Sequence, residues 1–249
     1  MINIKKIINI IIKKKIVVAK NKMHLKKLIE KQIKKCGNYC NLNFIDTSFI
    51  TDMSGLFELS QFDGDISQWD VSKVTNMNSM FAFSLFNGDI SGWNTSEVKD
   101  MGSMFAFSQF NRNINYWNIS KVIITESMFS NSKFNNDISQ WNTFSVLDMS
   151  GMFRNSQFNG DISAWNVLNV EDMSHMFTHS QFNGDLSNWN ISQVQNIANI
   201  FYNAKLSNWP YWAKIQSNDR DNAIEAYHTK NLLDKNVNNH RVVQTTFKI

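Results

Sequence analysis

The sequence predicts an α/β repeat solenoid of about seven 24-residue coils, and three aromatic columns carry that prediction. Trp69, Trp93, Trp117, Trp141, Trp165 and Trp189 recur every 24 residues. Phe57, Phe81, Phe105, Phe129, Phe153, Phe177 and Phe201 keep the same period, and so do Phe62, Phe86, Phe110, Phe134, Phe158 and Phe182. No insertion or deletion breaks the register. Self-similarity at a fixed period of about 20–50 residues marks a stacked array, because one such unit cannot bury its own apolar face.

The chain divides into four parts. Residues 1–22 are a basic tail, disordered or strand-forming, that begins with lysines and an apolar run. The run Ile7–Ile12 is six residues long and includes Asn9, short of the roughly 7–15 apolar residues of a secretory signal. It is also too short to cross a bilayer. As a helix it would put Ile4, Ile7, Ile8, Ile11 and Ile12 on one face with Lys5, Lys6 and Lys13 outside it. Membrane association is therefore expected only through residues 1–22. Residues 23–40 read as a helical N-cap, with Leu25, Leu28, Ile29 and Ile33 at helical spacing among lysines.

Residues 41–205 are the repeat. In the coil that begins at Phe158 the recurring apolar residues are Phe158, Ile162, Trp165, Val167, Val170, Met173, Met176 and Phe177. The alternation of Trp165 and Val167 suggests a short half-buried strand. The spacing of Val170, Met173, Met176 and Phe177 suggests a helical or 3-10 turn. Asp63-Gly64, Asn87-Gly88, Asn159-Gly160 and Asn183-Gly184 read as turn dipeptides that tolerate positive φ. The ladder Asp70, Asn94, Asn118, Asn142, Asn166 and Asn190 is expected to hydrogen-bond main chain at a corner. Ser60, Ser84, Ser108, Ser132, Ser156 and Ser180 fit a tight inward position. Residues 206–249 read as a C-terminal cap, a helix near Asp219–Asp234 followed by a strand RVVQTTFKI.

Charge narrows the function. Residues 1–35 hold twelve lysines and one acid, a charge of +11, whereas the other 214 carry −7. The folded body is thus acidic, which argues against a nucleic-acid partner. Cys36 and Cys40 are too few for a disulfide scaffold or a cysteine-only zinc site. His175 and His179 stand i, i+4, but Met176 replaces the glutamate that a zinc-protease motif needs. The column Asp65, Asp89, Asp137, Asp161 and Asp185 is interrupted by Asn113 and has no second carboxylate column beside it, so turn capping is preferred to calcium. No nucleophile elbow, P-loop or dinucleotide glycine pattern is present. The expected protein is not an enzyme and uses no cofactor or metal.

Where the copies differ, the surface shows. Position 14 of the unit reads Thr75, Lys99, Ile123, Leu147, Glu171 and Gln195, and position 11 carries Phe144 and Leu168 in two coils. If both columns face solvent, Ile123, Phe144, Leu147 and Leu168 form an apolar patch for a protein partner or a second copy. Phe83 and Phe107, one coil apart, and Tyr116 are secondary candidates.

The phrase FNGDISAWNVLNVEDMSHMFTHSQ and its siblings resemble the BspA-like leucine-rich-repeat proteins, in the branch first noticed in mycoplasma lipoproteins. The lead-in HLKKLIEKQIKKCGNYCNLNFIDTSFITDMSGLF is similar to the opening helix of that group. The likeness covers roughly His24 to Asn203. It implies a right-handed solenoid and a bacterial surface protein engaged in adhesion or protein binding. A carbohydrate- or host-factor-binding surface, which would use exposed aromatics such as Phe83 or Tyr116, is an alternative expectation. It transfers no catalytic residue. The N-terminus lacks the lipidated cysteine of the lipoproteins, which makes an intracellular scaffold in the cytoplasm the alternative expectation.

Overall fold

The structure is a computed structural model that describes residues 16–213. The first fifteen residues of the basic tail and the expected helix and strand of the C-terminal cap lie outside the described residues. The regular elements are β1 (Val17–Val18), α1 (Lys22–Cys36), β2 (Ile45–Asp46) and a 3-10 turn, Tyr211–Ala213.

Asn21 caps α1 by accepting a hydrogen bond from the His24 amide, and Gly37 ends it at φ 82°, donating its own amide to the Ile33 carbonyl. Leu25 and Ile29 are buried, and β1 pairs parallel with β2, Val17 opposite Ile45. Together they cover the first coil, where Ile45 stands in place of the column tryptophan.

Between α1 and Tyr211 the backbone is a succession of turns. In the coil that begins at Phe158, Trp165 donates to Ile162, Val170 to Val167, Met176 to Met173, Thr178 to His175 and Ser180 to Phe177, all near 3.1 Å. His175 and His179 both have φ 56°. A left-handed residue at the third place of a four-residue turn is the type II signature, and the pattern recurs in every coil, at Ser79 and Phe83, Ser103 and Phe107, Ser127 and Asn131. The intervening amides leave the coil. His175, Phe177 and His179 donate to the Ala198, Ile200 and Tyr202 carbonyls of the next coil, each at 2.8 Å. Parallel bridges then run in series through Asp52, Asn76, Asp100, Ile124, Asp148, Asp172 and Asn196.

This corrects two local expectations. Residues 165–167 are not a strand, and residues 170–177 are not a helix. Overlapping turns produce the same i, i+3 apolar spacing as a helix, and a left-handed residue at every fourth place diverts the amides to the neighbouring coil. The Asn-Gly dipeptides are also different from expected, since none of Gly64, Gly88, Gly160 and Gly184 adopts positive φ. Glycine is needed there for space: a Cβ on Gly160 would lie 2.9 Å from the Phe158 ring.

The core consists of the aromatic columns. Phe105, Phe129 and Phe153 stack coil on coil at 5.8 Å, nearly parallel at 6°. Each also meets the ring five residues on, as Phe129 meets Phe134 at 4.2 Å. Burying one such ring contributes about 1.5–3 kcal/mol, and a well-placed aromatic pair adds about 0.5–1.5 kcal/mol. The tryptophans are buried too, and each indole donates to a carbonyl one coil back: Trp93 to Ile66, Trp117 to Ile90, Trp165 to Ile138. A polar group in the core is thereby satisfied at every step.

The columns continue past residue 206, the expected start of the cap. Leu206 is buried in the phenylalanine column, and Trp212 donates its indole N–H to the Leu186 carbonyl as the column tryptophans do. Trp209 and Trp212 both pack on Phe201.

The polar ladders act within and between coils. Asp70, Asn118 and Asn166 each accept from the amide two residues on, at Ser72, Ser120 and Leu168. Asp65, Asp89 and Asp161 do the same with Ser67, Ser91 and Ser163. A further ladder, not read from the sequence, ties coil to coil: Asn87 accepts from the Asn111 amide, Asn111 from Asn135, Asn135 from Asn159 and Asn159 from Asn183. Cys36 is exposed and Cys40 buried, and they are not joined in a disulfide.

Candidate interaction face

The face made by the bridge residues and the turns after them carries a large groove. It holds about 760 Å³ and is lined by Glu58, Phe83, Phe107, Asn131, Arg154 and His179 among others. Most of its lining residues are at left-handed positions, with their amides given to the ladder between coils, and buried Ala82, Ala106 and Ser130 lie among them.

Phe83 and Phe107 stand out. Their rings stack at 4.4 Å and 7° while remaining 49% and 47% exposed. Both residues are left-handed, at φ 55°. For a bulky residue that conformation is an outlier, costing about 1–2 kcal/mol. The same column carries Asn131, Asn155 and Asn203, the residue type that best tolerates it. Asn155 donates its side-chain amide to Asn131, so in those coils the column closes on itself by hydrogen bonding.

Beside the groove the charge is negative. The seven segments that form this face, from Thr51–Leu59 to Gln195–Asn203, contain seven Asp or Glu and two Lys or Arg. Burial raises the Glu126 carboxyl above the ordinary glutamate range, and the charges of Asp148, Asp100 and Asp172 raise it further. Burial acts on Asp172 in the same sense, but hydrogen bonds from Ser174 and Asn196 outweigh it and hold that carboxyl low. Among the described residues the ion pairs are Lys22–Asp52 and Lys121–Glu97, so Asp100, Glu126, Asp148 and Asp172 have none.

The four patch residues are all at the surface, Ile123, Leu147 and Leu168 a little over one third exposed and Phe144 51%. The Leu147 amide donates to the Ile123 carbonyl at 2.9 Å, so these two are neighbours on the rim of the acidic strip. Phe144 and Leu168 occupy the equivalent place in successive coils, where Asn169 donates to the Phe144 carbonyl. Tyr116 is 82% exposed and takes no part in lining the groove. His175 and His179 do not converge: His179 meets the Tyr202 ring edge-on, and His175 faces Thr178. The groove as a unit, and the acidic strip, were missed in the sequence. Their signal was present in the column Asp52, Asp100, Asp148 and Asp172, which was not singled out, and in Phe83 and Phe107, read only as a pair one coil apart.

A family model described as "Mycoplasma protein of unknown function, DUF285" matches residues 25–133 and again residues 106–213. No curated protein and no solved structure matches. The two matches span most of the chain, and the chain belongs to this mycoplasma-type repeat family.

Proposed function

We propose that this member of the family is a non-catalytic protein–protein interaction or adhesion scaffold, a right-handed solenoid of the BspA-like leucine-rich-repeat type that binds its partner through the groove of Phe83 and Phe107. One observation carries the reading. Two bulky rings occupy a backbone conformation that disfavours them and are half exposed, so neither local backbone preference nor core packing accounts for them. Contact with something outside the chain does. The Ile123, Phe144, Leu147 and Leu168 patch on the rim extends the same surface.

The test compares capture of binding partners by the wild-type chain and by the double variant Phe83→Asn/Phe107→Asn, with chemical cross-linking to intact cells and to their extracts. Partners held by the wild type are expected to be lost from the double variant while the fold is kept. An unchanged set of partners would remove the groove from the reading. Loss of a glycan ligand instead, on a glycan array, would favour a carbohydrate-binding surface. The adhesion arm is checked by protease shaving of intact cells, which is expected to release peptides around Trp141.

A further inference from the structure

The groove reading leaves the chemistry of the partner open, and charge and geometry narrow it. Resting on that reading, we infer that the groove takes an extended, lysine- or arginine-bearing segment of a protein partner. The inference has three supports. Six of the seven acids on this face, Glu58, Asp100, Glu126, Asp148, Glu171 and Asp172, are without an ion pair among the described residues. Glu126 directly precedes Ser127, which lines the groove, so unpaired negative charge stands at the groove's edge. A cationic partner supplies the missing counter-charge.

The second support is the stacked ring pair. Phe83 and Phe107 present half-exposed π faces, a surface that attracts an ammonium or guanidinium group at about 0.5–1 kcal/mol when exposed and more when dehydrated. Arg154 is the one Lys or Arg among the groove's lining residues, and it lies two coils from Phe107. The third is length. The groove runs from Glu58 to His179, five coil steps, which at about 4.8 Å per step is roughly 24 Å, the span of about seven extended residues. A single side chain or a small metabolite leaves most of it empty.

The probe is a fluorescein-labelled ten-residue peptide alternating lysine with serine, against its glutamate–serine counterpart, titrated onto the full chain by fluorescence polarisation. The lysine peptide is expected to bind, more weakly as salt rises, and the glutamate peptide not to bind. Glu126→Gln/Asp148→Asn is expected to weaken binding about tenfold, as is Phe83→Asn/Phe107→Asn. Asp137→Asn/Asp161→Asn, in the column away from the groove, is expected to leave it unchanged. Equal weakening by the two acidic double variants means attraction to an acidic body without a site, and overturns the inference. If the Phe variant loses its captured partners but Glu126→Gln/Asp148→Asn keeps them and still binds the lysine peptide as tightly as wild type, the partner is not cationic: the inference fails and the interaction reading stands. If neither variant changes either assay, both fail. Binding of a synthetic peptide of residues 1–15, which carries five lysines, in competition with the lysine probe would identify this chain's own tail as one such segment.

Discussion

Two stretches of one column, two coils apart, solve the same backbone problem in opposite ways. At Asn131 and Asn155 the left-handed residue is one that tolerates the conformation, and the two side chains hydrogen-bond to each other. At Phe83 and Phe107 the same φ is forced on large rings that stack in the open. Turns, ladder bonds and buried columns are alike in both stretches. Scaffold and surface are therefore separable in this chain: the interior is written once and repeated, while the exterior is varied at positions the interior does not constrain.

The separation can be broken most strongly from inside. Phe129→Ala removes a fully buried ring in contact with Phe105, Phe134, Phe153 and Trp141. Urea denaturation should show a loss of about 3–5 kcal/mol. Phe105→Ala, in the equivalent place one coil earlier, should cost the same within error, since the columns are interchangeable. A large difference between the two would show that the coils are not equivalent modules.

Gly160→Ala is the next test. Its Cβ would stand 2.9 Å from the Phe158 ring, tighter than real contacts allow, so the ring or the backbone must shift at a cost of about 1–3 kcal/mol. Gly92→Ala, where a Cβ meets open space, should leave the denaturation midpoint nearly unchanged. Equal losses at the two glycines would put the cost in the backbone and not in the ring.

The smallest effect is electrostatic and has a sign. Hydrogen bonds from Ser91 hold Asp89 below the ordinary aspartate range, and those from Ser163 and Ser187 do the same for Asp161 and Asp185. These carboxylates contribute stability present at neutral pH and lost as pH falls through their lowered folded-state values. Glu126 runs the other way, because its raised folded-state value makes its charge a cost at neutral pH that is relieved on acidification. Glu126→Gln should therefore raise the melting temperature slightly at pH 7, and the gain should vanish as the pH falls below the ordinary glutamate range. A gain that grows in acid would reverse the sign argued for Glu126.

The period, the buried columns and the N-terminal helix were legible in the sequence because each depends on residue type at a fixed spacing. Trp165 and Phe177 are apolar wherever the coil is placed. The conformation between them was not legible. Val170, Met173 and Met176 have the spacing of a helix, and only the Ser, His, Asn and Gly residues at the left-handed positions distinguish a chain of turns. Phe83 and Phe107 conceal that signal in their coils, since a phenylalanine does not advertise positive φ. The Asn87–Asn183 ladder was obscured because Asn-Gly is first a turn signal. The groove was hidden because it belongs to no single coil and exists only after Phe83, Phe107 and Asn131 are stacked.

The most direct test of that separation is the unfolding free energy of the Phe83→Asn/Phe107→Asn double variant, measured by urea denaturation beside the wild type. If the rings serve contact and not folding, replacing them with the residue their backbone favours should leave stability equal or raise it by up to about 1 kcal/mol. A loss of more than about 1 kcal/mol would mean that the stacked rings hold the coils together, and would return Phe83 and Phe107 to the scaffold.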